Sequence, residues 1–412
     1  ARFGEILPAK RKVIAKRKVK ARSAVAVPEE IEKRALINLK KLLTTRDFKR
    51  IDQGLELLRS LGNADIHSYF LEGVSYTSQG EGSLIPNSMF RGTGPAQPYL
   101  NYALLGVIAY APEACEAAAN LKKSITRLGM VLGSTGPLAE FNNLESLDLT
   151  GSEELENLNG LSPLKKLKQI KVRGCRSLQN VDVLMQLTNL TSLGLSWCDP
   201  IESLDVLVNC TKLTCLDLNH CWALRNMGSL ANLTNLTSLD MSWCPLPNVD
   251  GLASCTNLTS LNLRGGLNNL QNVDGLTNCT KLTSLELRNC NNLKNVDALT
   301  NLTNLTSLEL GHCESLKNAD IIGSLTKLEN LNLSDCKNLI NADGLANCIN
   351  LTTLNLMWCE SLQNVDGLAN LPNLTSLNLH WCYQVRPKPV KDKMTTREEV
   401  VAYQEEIRKS ME

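Results

Sequence analysis

The chain has 412 residues, 43% of them hydrophobic and 21% charged, with aromatics at only 4%, so a folded core has to be aliphatic. No stretch reaches the roughly 18 consecutive apolar residues of a membrane span, and no apolar segment of the signal-peptide kind opens the chain; this reads as a soluble, non-secreted protein. The net charge of +1 conceals an asymmetry: residues 1–28 hold nine Lys or Arg against the single acid Glu5, a net of +8, so residues 29–412 are net acidic.

In chain order, Lys10, Arg11, Lys12, Lys16, Arg17, Lys18, Lys20 and Arg22 make residues 1–28 a basic tail suited to nucleic acid or another acidic surface, or, on the plainer reading, a solvated linker. The start at Ala1 rather than Met fits a removed leader or a fragment. Residues 29–130 read as a small helical cap domain. Ile31, Leu36, Leu39, Leu42 and Leu43 show helical spacing, and so do Phe48, Ile51, Leu55, Leu58 and Leu61 before a break at Gly62-Asn63. A third apolar run, Tyr99 to Tyr110, follows Gly92-Thr-Gly-Pro-Ala-Gln-Pro. That segment lacks the Gly-Lys-Ser/Thr of a phosphate loop and any preceding apolar strand, so it is read as a turn.

Residues 131–386 are dominated by a repeat. Segments of the form Leu-x-x-Leu-x-Leu-x-x-Cys begin at Leu144, Leu167, Leu190, Leu213, Leu236, Leu258, Leu282, Leu305, Leu328, Leu351 and Leu374, at a spacing of 23 broken by one 22 and one compensating 24. In Leu282-Thr-Ser-Leu285-Glu-Leu287, alternation puts Leu285 and Leu287 on one side of a strand and Ser284, Glu286 and Arg288 on the other. A unit this short cannot bury its apolar face alone, so neighbours must stack, and eleven parallel strands would form a face about 50 Å long. The pattern resembles the leucine-rich repeat, with Cys replacing Asn at its ninth position, and the short unit is similar to those of bacterial and other intracellular leucine-rich-repeat proteins. The resemblance implies an α/β solenoid: a horseshoe with about 11 parallel strands on its concave face. Residues 29–130 resemble the short helical segments that precede repeat arrays in some bacterial proteins, and are expected to shield the first unit.

Nine ninth positions are Cys: Cys175, Cys198, Cys221, Cys244, Cys290, Cys313, Cys336, Cys359 and Cys382. A small residue with a weak S–H donor can fill the turn after the strand and meet a neighbouring carbonyl. Spread one per rung, these thiols lack the clustering a zinc site needs. Cys210, Cys255, Cys279 and Cys348 share a second register with Leu187, Leu233, Leu302 and Leu371 and read as substitutes for a hydrophobe. Many Asn-x-Ser/Thr triplets, such as Asn189-Leu-Thr and Asn373-Leu-Thr, sit where glycosylation would obstruct packing. Cysteines and triplets together suggest a reducing, cytoplasmic compartment. The recurring Val-Asp-Gly-Leu element places Asp250, Asp274 and Asp366, with variants at Asp182, Asp205, Asp297, Asp320 and Asp343, as N-caps of short turns. A calcium ladder would need denser oxygen spacing. No cofactor or metal is expected.

With leucines committed to the core, recognition falls to the exposed strand positions. The first is mostly Ser; the second is acidic or amide; Arg173, Arg264 and Arg288 occupy the third. Trp197, Trp243, Trp358 and Trp381 stand just before the ladder cysteine, Trp222 just after it, and His220 and His312 take the tryptophan position in their own units. The expected partner-binding set is Trp197, His220, Trp222, Trp243, Arg264, Glu286, Arg288, Glu309, His312, Trp358, His380 and Trp381, in two subsites around Trp197, His220, Trp222 and Trp243, and around Trp358, His380 and Trp381. The plainer reading is that duplication copied a cassette whose indoles shield the sheet's rim. Arg386-Pro-Lys-Pro stops the array, and residues 387–412 hold a capping-box pattern, Thr396-Arg-Glu-Glu399, opening a capping or docking helix to about Lys409. No nucleophile–base pairing is legible, so the expectation is a non-enzymatic, protein-binding scaffold or adaptor. The alternatives are a structural subunit of a nucleoprotein assembly, contacting RNA or DNA through the tail, and the substrate-recognition subunit of an enzyme complex such as a ubiquitin ligase.

Overall fold

The structure is a computed structural model that describes residues 29–71, 74–77, 83–85, 97–245, 248–265 and 270–412. Helices α1 (Glu29–Leu43), α2 (Phe48–Leu61), α3 (Ala64–Leu71), α4 (Gln97–Ala109) and α5 (Glu116–Ser124) precede the repeats, with a hairpin of β1 (Ser75–Thr77) and β2 (Ser83–Ile85) between α3 and α4. Asp47 caps α2 by accepting from Arg50 N, and Gly62 closes it in the left-handed region at φ 58°. The centre of this region is α4, where Tyr102, Leu104, Leu105 and Ile108 are fully buried. Gly106 is there because a Cβ at that point would lie 2.2 Å from Leu55 Cδ1. From α4 the packing passes to the first turn of the array, Gly136–Glu140.

The α3 helix carries a fully buried histidine, His67, whose Nδ1 meets Asn63 O at 2.9 Å. Burial lowers its pKa below the usual value near 6.5, so the folded chain holds it neutral. The unfolded chain takes up a proton near pH 6.5; folding stability is therefore whole above that pH and falls as pH drops through it toward the lower folded-state pKa. Urea denaturation at several pH values between about 7.5 and 5.5 should show wild type losing more stability on acidification than His67→Gln, by at most about 1.4 kcal/mol per pH unit. Parallel curves for the two proteins would contradict this.

Among the described residues, thirteen strands form one open sheet. Eleven of them, from β4 (Ser146–Asp148) to β14 (Ser376–Asn378), are the repeat strands, paired in parallel and in strict register, Leu285 against Leu261 on one side and Leu308 on the other. A twelfth parallel strand, β3 (Arg127–Gly129), comes from the segment before residue 131 and pairs with β4. A short antiparallel strand, β15 (Lys393–Met394), closes the other end on β14. The β3 edge is not left bare, because the Tyr76 hydroxyl donates to Arg127 O (2.7 Å) and accepts from Arg127 N (3.2 Å), blunting a surface that would otherwise invite another strand.

Each repeat buries its leucines completely; Leu282, Leu285, Leu287 and Leu293 are at most 1% exposed. The turns are satisfied by three polar ladders, since buried backbone groups need partners. Ladder cysteines donate to the carbonyl 26 or 27 residues earlier, as in Cys198 Sγ to Val172 O (2.8 Å) and Cys382 Sγ to Leu356 O (2.9 Å). The triplet asparagines donate one repeat back, Asn189 Nδ2 to Lys165 O and Asn373 Nδ2 to Ile349 O (both 2.9 Å), and the following threonines do the same, Thr191 Oγ1 to Lys168 O at 3.1 Å. Second-register cysteines bond similarly, Cys210 Sγ to Leu184 O at 3.3 Å. Burial pushes the Cys198 thiol up to about 12 and that of Cys210 to about 11, which keeps both protonated.

One expectation is overturned. The Val-Asp-Gly-Leu aspartates are not N-caps: the cap residues of these 3-10 turns are the preceding Val249, Val273 and Val365, without a side-chain bond. The side chain that caps is the asparagine two residues before the aspartate, whose Oδ1 accepts from the aspartate N–H: Asn248 to Asp250 and Asn272 to Asp274 (3.1 Å each), and Asn364 to Asp366 (2.7 Å). The aspartate already lies inside the turn, one residue too late to reach back, while the asparagine closes an Asx-turn ahead of it.

At the C-terminal end, α6 (Arg397–Met411) starts at Thr396, which accepts from Glu399 N, while Glu399 accepts from Thr395 N. Its buried face, Val400, Tyr403, Gln404 and Ile407, lies on the last repeat. Gln404 Nε2 donates to Leu368 O (2.8 Å) and Leu371 O (3.0 Å), and Arg397 Nη1 to Leu374 O (2.8 Å).

Candidate functional site

On the exposed strand face, the acid or amide at the second position has a local task. Asp217 Oδ1 accepts from Asn219 N (3.0 Å), Glu286 Oε1 from Arg288 N (2.9 Å) and Asn378 Oδ1 from His380 N (3.1 Å). Each satisfies an N–H two residues on, where the strand ends. The next position but one, just before the ladder residue, is left-handed in every repeat that the structure describes. It holds Gly151, Gly174 and Gly265, with φ between 69° and 80°, but also Trp197, His220, Trp243, Asn289, His312, Asp335, Trp358 and Trp381, with φ between 58° and 65°. For a residue with a Cβ that conformation costs roughly 1–2 kcal/mol, eased for Asn, Asp and His but not for the tryptophans.

These aromatic side chains lean along the sheet onto their neighbours. Trp197 stacks on His220 with ring centroids 3.8 Å apart and planes 9° from parallel; His220 meets Trp222 edge-on at 5.6 Å and Trp243 at 5.8 Å. Trp243 lies over Gly265, where a Cβ would come within 2.7 Å of the indole. The second cluster joins Trp358 to Trp381 at 4.6 Å and His380 to Trp381 at 3.9 Å. Trp222 is 46% exposed, and Trp358 and Trp381 are each 39% exposed. Burial lowers the pKa of His220 against the opposing pull of Asp240, so its ring stays neutral at pH 7.

The remaining residues of the expected set form a different zone between the clusters. Arg288 Nη2 contacts Glu309 Oε2 at 2.5 Å, and Asn332 Nδ2 donates to the same oxygen at 2.7 Å. His312 Nδ1 meets Asp335 Oδ2 at 2.6 Å, with Lys337 3.8 Å from Asp335 Oδ1. Arg264 is held through its backbone N–H to Asn262, and its charge acts on Glu286 one strand on. Burial raises the pKa of Glu286 despite its bond to Arg288 N. The basic residues Lys10 to Arg22 lie outside the described residues. Sequence reasoning missed Asp199, which shares the post-cysteine register with Trp222, and Asp392, 3.3 Å from His380 Nδ1. The spacing could have revealed the first; nothing local could have revealed the second. Among the described residues, no group of three or more His, Cys, Asp or Glu could hold a metal ion.

Residues 103–221 match the family described as R13L1/DRL21 LRRs, and residues 265–385 match the BspA type leucine rich repeat region, in 6 copies. The chain is a leucine-rich-repeat protein. A solved structure shares the fold. An internalin from Listeria monocytogenes str. 4b F2365 is 24% identical with a TM-score of 0.51, over 63% of this chain and 82% of that one. A leucine-rich-repeat protein of Leptospira interrogans is 16% identical with a TM-score of 0.38, over 66% of this chain and 93% of that one. A TLR13–ssRNA13 complex is 20% identical with a TM-score of 0.46, over 62% and 44%. At 24% identity the likeness to the internalin is one of fold alone. No curated protein matches this leucine-rich-repeat chain.

Proposed function

We propose that this protein is a non-catalytic scaffold that holds a protein partner on the exposed strand face, using the two aromatic clusters as anchors. The carrying observation is the placement of four tryptophans at left-handed positions. Glycine would fill that slot without strain, as it does at Gly151 and Gly174, so the aromatic side chains repay a backbone cost through what they contact. Tryptophan on a rigid framework is also the side chain most enriched at binding hot spots. Shielding of the sheet's rim alone fits less well, because Trp222, Trp358 and Trp381 keep large exposed areas.

The compartment belongs to the same proposal: a reducing one, cytoplasmic in character. It is supported by cysteines that are all unpaired and, Cys215 apart, buried, and by triplet asparagines whose amides are engaged in the ladder.

Affinity capture from native lysate, with nuclease treatment and with a version lacking residues 1–28, tests the reading. One protein partner should survive both, and Trp222→Ala or Trp381→Ala should weaken its capture by about tenfold or more, the scale of a hot-spot truncation. Capture that vanishes with nuclease or with the tail, or that neither variant changes, rejects it.

A further inference from the structure

We infer that Cys359 and Cys382 are a peroxide-responsive thiol pair, whose closure to a disulfide displaces the adjoining Trp358–Trp381 cluster. For its effect on recognition the inference rests on the scaffold reading, to which it adds a means of regulating the second anchor.

Each ladder cysteine directly follows a left-handed slot, so Cys359 follows Trp358 and Cys382 follows Trp381. The two rungs stay in register up to that point, Trp358 N donating to His380 O at 2.9 Å. In-register parallel rungs lie about 4.8 Å apart, inside the roughly 4.4–6.8 Å between Cα atoms that a disulfide spans. The side chains also converge. The two thiols are in hydrogen-bond contact, and Leu356 O accepts from both Cys382 Sγ at 2.9 Å and Cys359 N at 3.2 Å. Cys221 and Cys244, which follow His220 and Trp243 in the first cluster, make the same contact.

What separates the two pairs is access. Cys221, Cys244 and Cys359 are wholly buried, whereas Cys382, on the last rung of the array, is 8% exposed. Its thiol is drawn below its ordinary pKa near 9 by hydrogen bonds with the thiol and N–H of Cys359, against the opposing effect of burial. Burial instead pushes the thiols of Cys290 and Cys336 up to about 12. The thiolate is the form that peroxide oxidises. The Cys382 sulfur takes one peroxide oxygen, the O–O bond breaks, and the departing hydroxide joins the proton that the thiol gave up, leaving a sulfenic acid and one water. The Cys359 sulfur then attacks that sulfur; the S–O bond breaks, and hydroxide departs with the Cys359 proton as a second water. Two thiols and one hydrogen peroxide become one disulfide and two waters. Neither carbonyl under the thiols is left bare, because Leu333 O keeps Cys336 N at 3.3 Å and Leu356 O keeps Cys359 N. A bond of about 2.05 Å is far shorter than a hydrogen-bond contact between sulfurs. Closure therefore pulls the two turns together and moves the indoles that precede them, whose ring centroids lie 4.6 Å apart.

The experiment treats the full chain with a modest excess of hydrogen peroxide, in a Cys215→Ser background that removes the exposed thiol of the strand face. Free thiols are then alkylated under denaturing conditions and the peptides weighed. The Cys359 and Cys382 peptides should appear joined and lighter by two hydrogens, and dithiothreitol should separate them, while Cys221 and Cys244 stay open to alkylation. Cys359→Ser should leave a sulfenic acid on Cys382 that dimedone traps, and Cys382→Ser should leave Cys359 reduced. Tryptophan emission should shift on oxidation of the parent chain and stay unmoved in both variants. Absence of the cross-link overturns the inference, as does equal cross-linking of the Cys221–Cys244 pair, or an emission that ignores the disulfide. Partner capture, read on the same samples, should fall on oxidation and return with dithiothreitol. If the disulfide forms and shifts the emission while neither it nor Trp381→Ala changes capture, the scaffold reading falls and the thiol pair stands. If capture depends on Trp381 but no disulfide forms, the scaffold reading stands and this inference falls.

Discussion

Gly275→Ala should destabilise the array by about 3 kcal/mol, the upper range for forcing atoms into a packed interior. A Cβ there would sit 2.2 Å from Val249 O and 2.9 Å from Asp250 Cα, backbone atoms of the preceding 3-10 turn that cannot swing aside. Gly344 is confined in the same way, 2.3 Å from Asp320 Cα, and should respond alike. Gly228→Ala is the control, since its closest neighbour is the Asn226 side chain at 3.3 Å. Denaturant melts of the three variants decide the matter. Gly275→Ala unfolding at the wild-type midpoint would show that the turns can spread, and the stacking argument would fail. The register itself tolerates side chains, with Val183, Ser229 and Ala298 occupying it elsewhere, so the demand comes from how closely particular turns approach.

Deleting residues 397–412 should unravel the C-terminal repeats while sparing the middle of the array. The deletion uncovers the face under Val400, Tyr403 and Ile407 and takes the side-chain donors away from the carbonyls of Leu368, Leu371 and Leu374. Stability in a stacked array is a sum of nearest-neighbour terms, so loss begins at the freed end. Amide hydrogen exchange should lose protection around β14 and keep it around β7 (Cys215–Asp217). The milder Gln404→Leu, which keeps the apolar area but drops two bonds to buried carbonyls, should cost about 2–3 kcal/mol. Unchanged exchange at β14 in the truncated chain would mean that the last repeat needs no cover.

The eleven repeat strands were legible because leucine spacing states both the period and the buried side of each strand. The twelfth, β3, was not, since Ile125-x-x-Leu128-x-Met130 carries the same pattern without leucine at two of its three positions and at a different distance from the next unit. In the helical region, α3, α5 and the hairpin went unread, because eight- and nine-residue helices and three-residue strands are too short for periodicity to stand out. The glycine of Val-Asp-Gly-Leu was visible, but its reason was not: a close approach between turns 23 residues apart leaves no local mark. The aromatic clusters could be placed from register alone, yet the left-handed backbone beneath them could not, because a tryptophan gives no sign of positive φ.

That slot has a consequence for how such an array changes over time. Five residue types, Gly, Trp, His, Asn and Asp, occupy one backbone conformation there, with the strand before it undisturbed. What the surface displays is thereby uncoupled from what makes the chain fold. A duplicated unit can exchange the residue in this slot and display a different side chain without renegotiating its core, so variety on this face can accumulate one rung at a time.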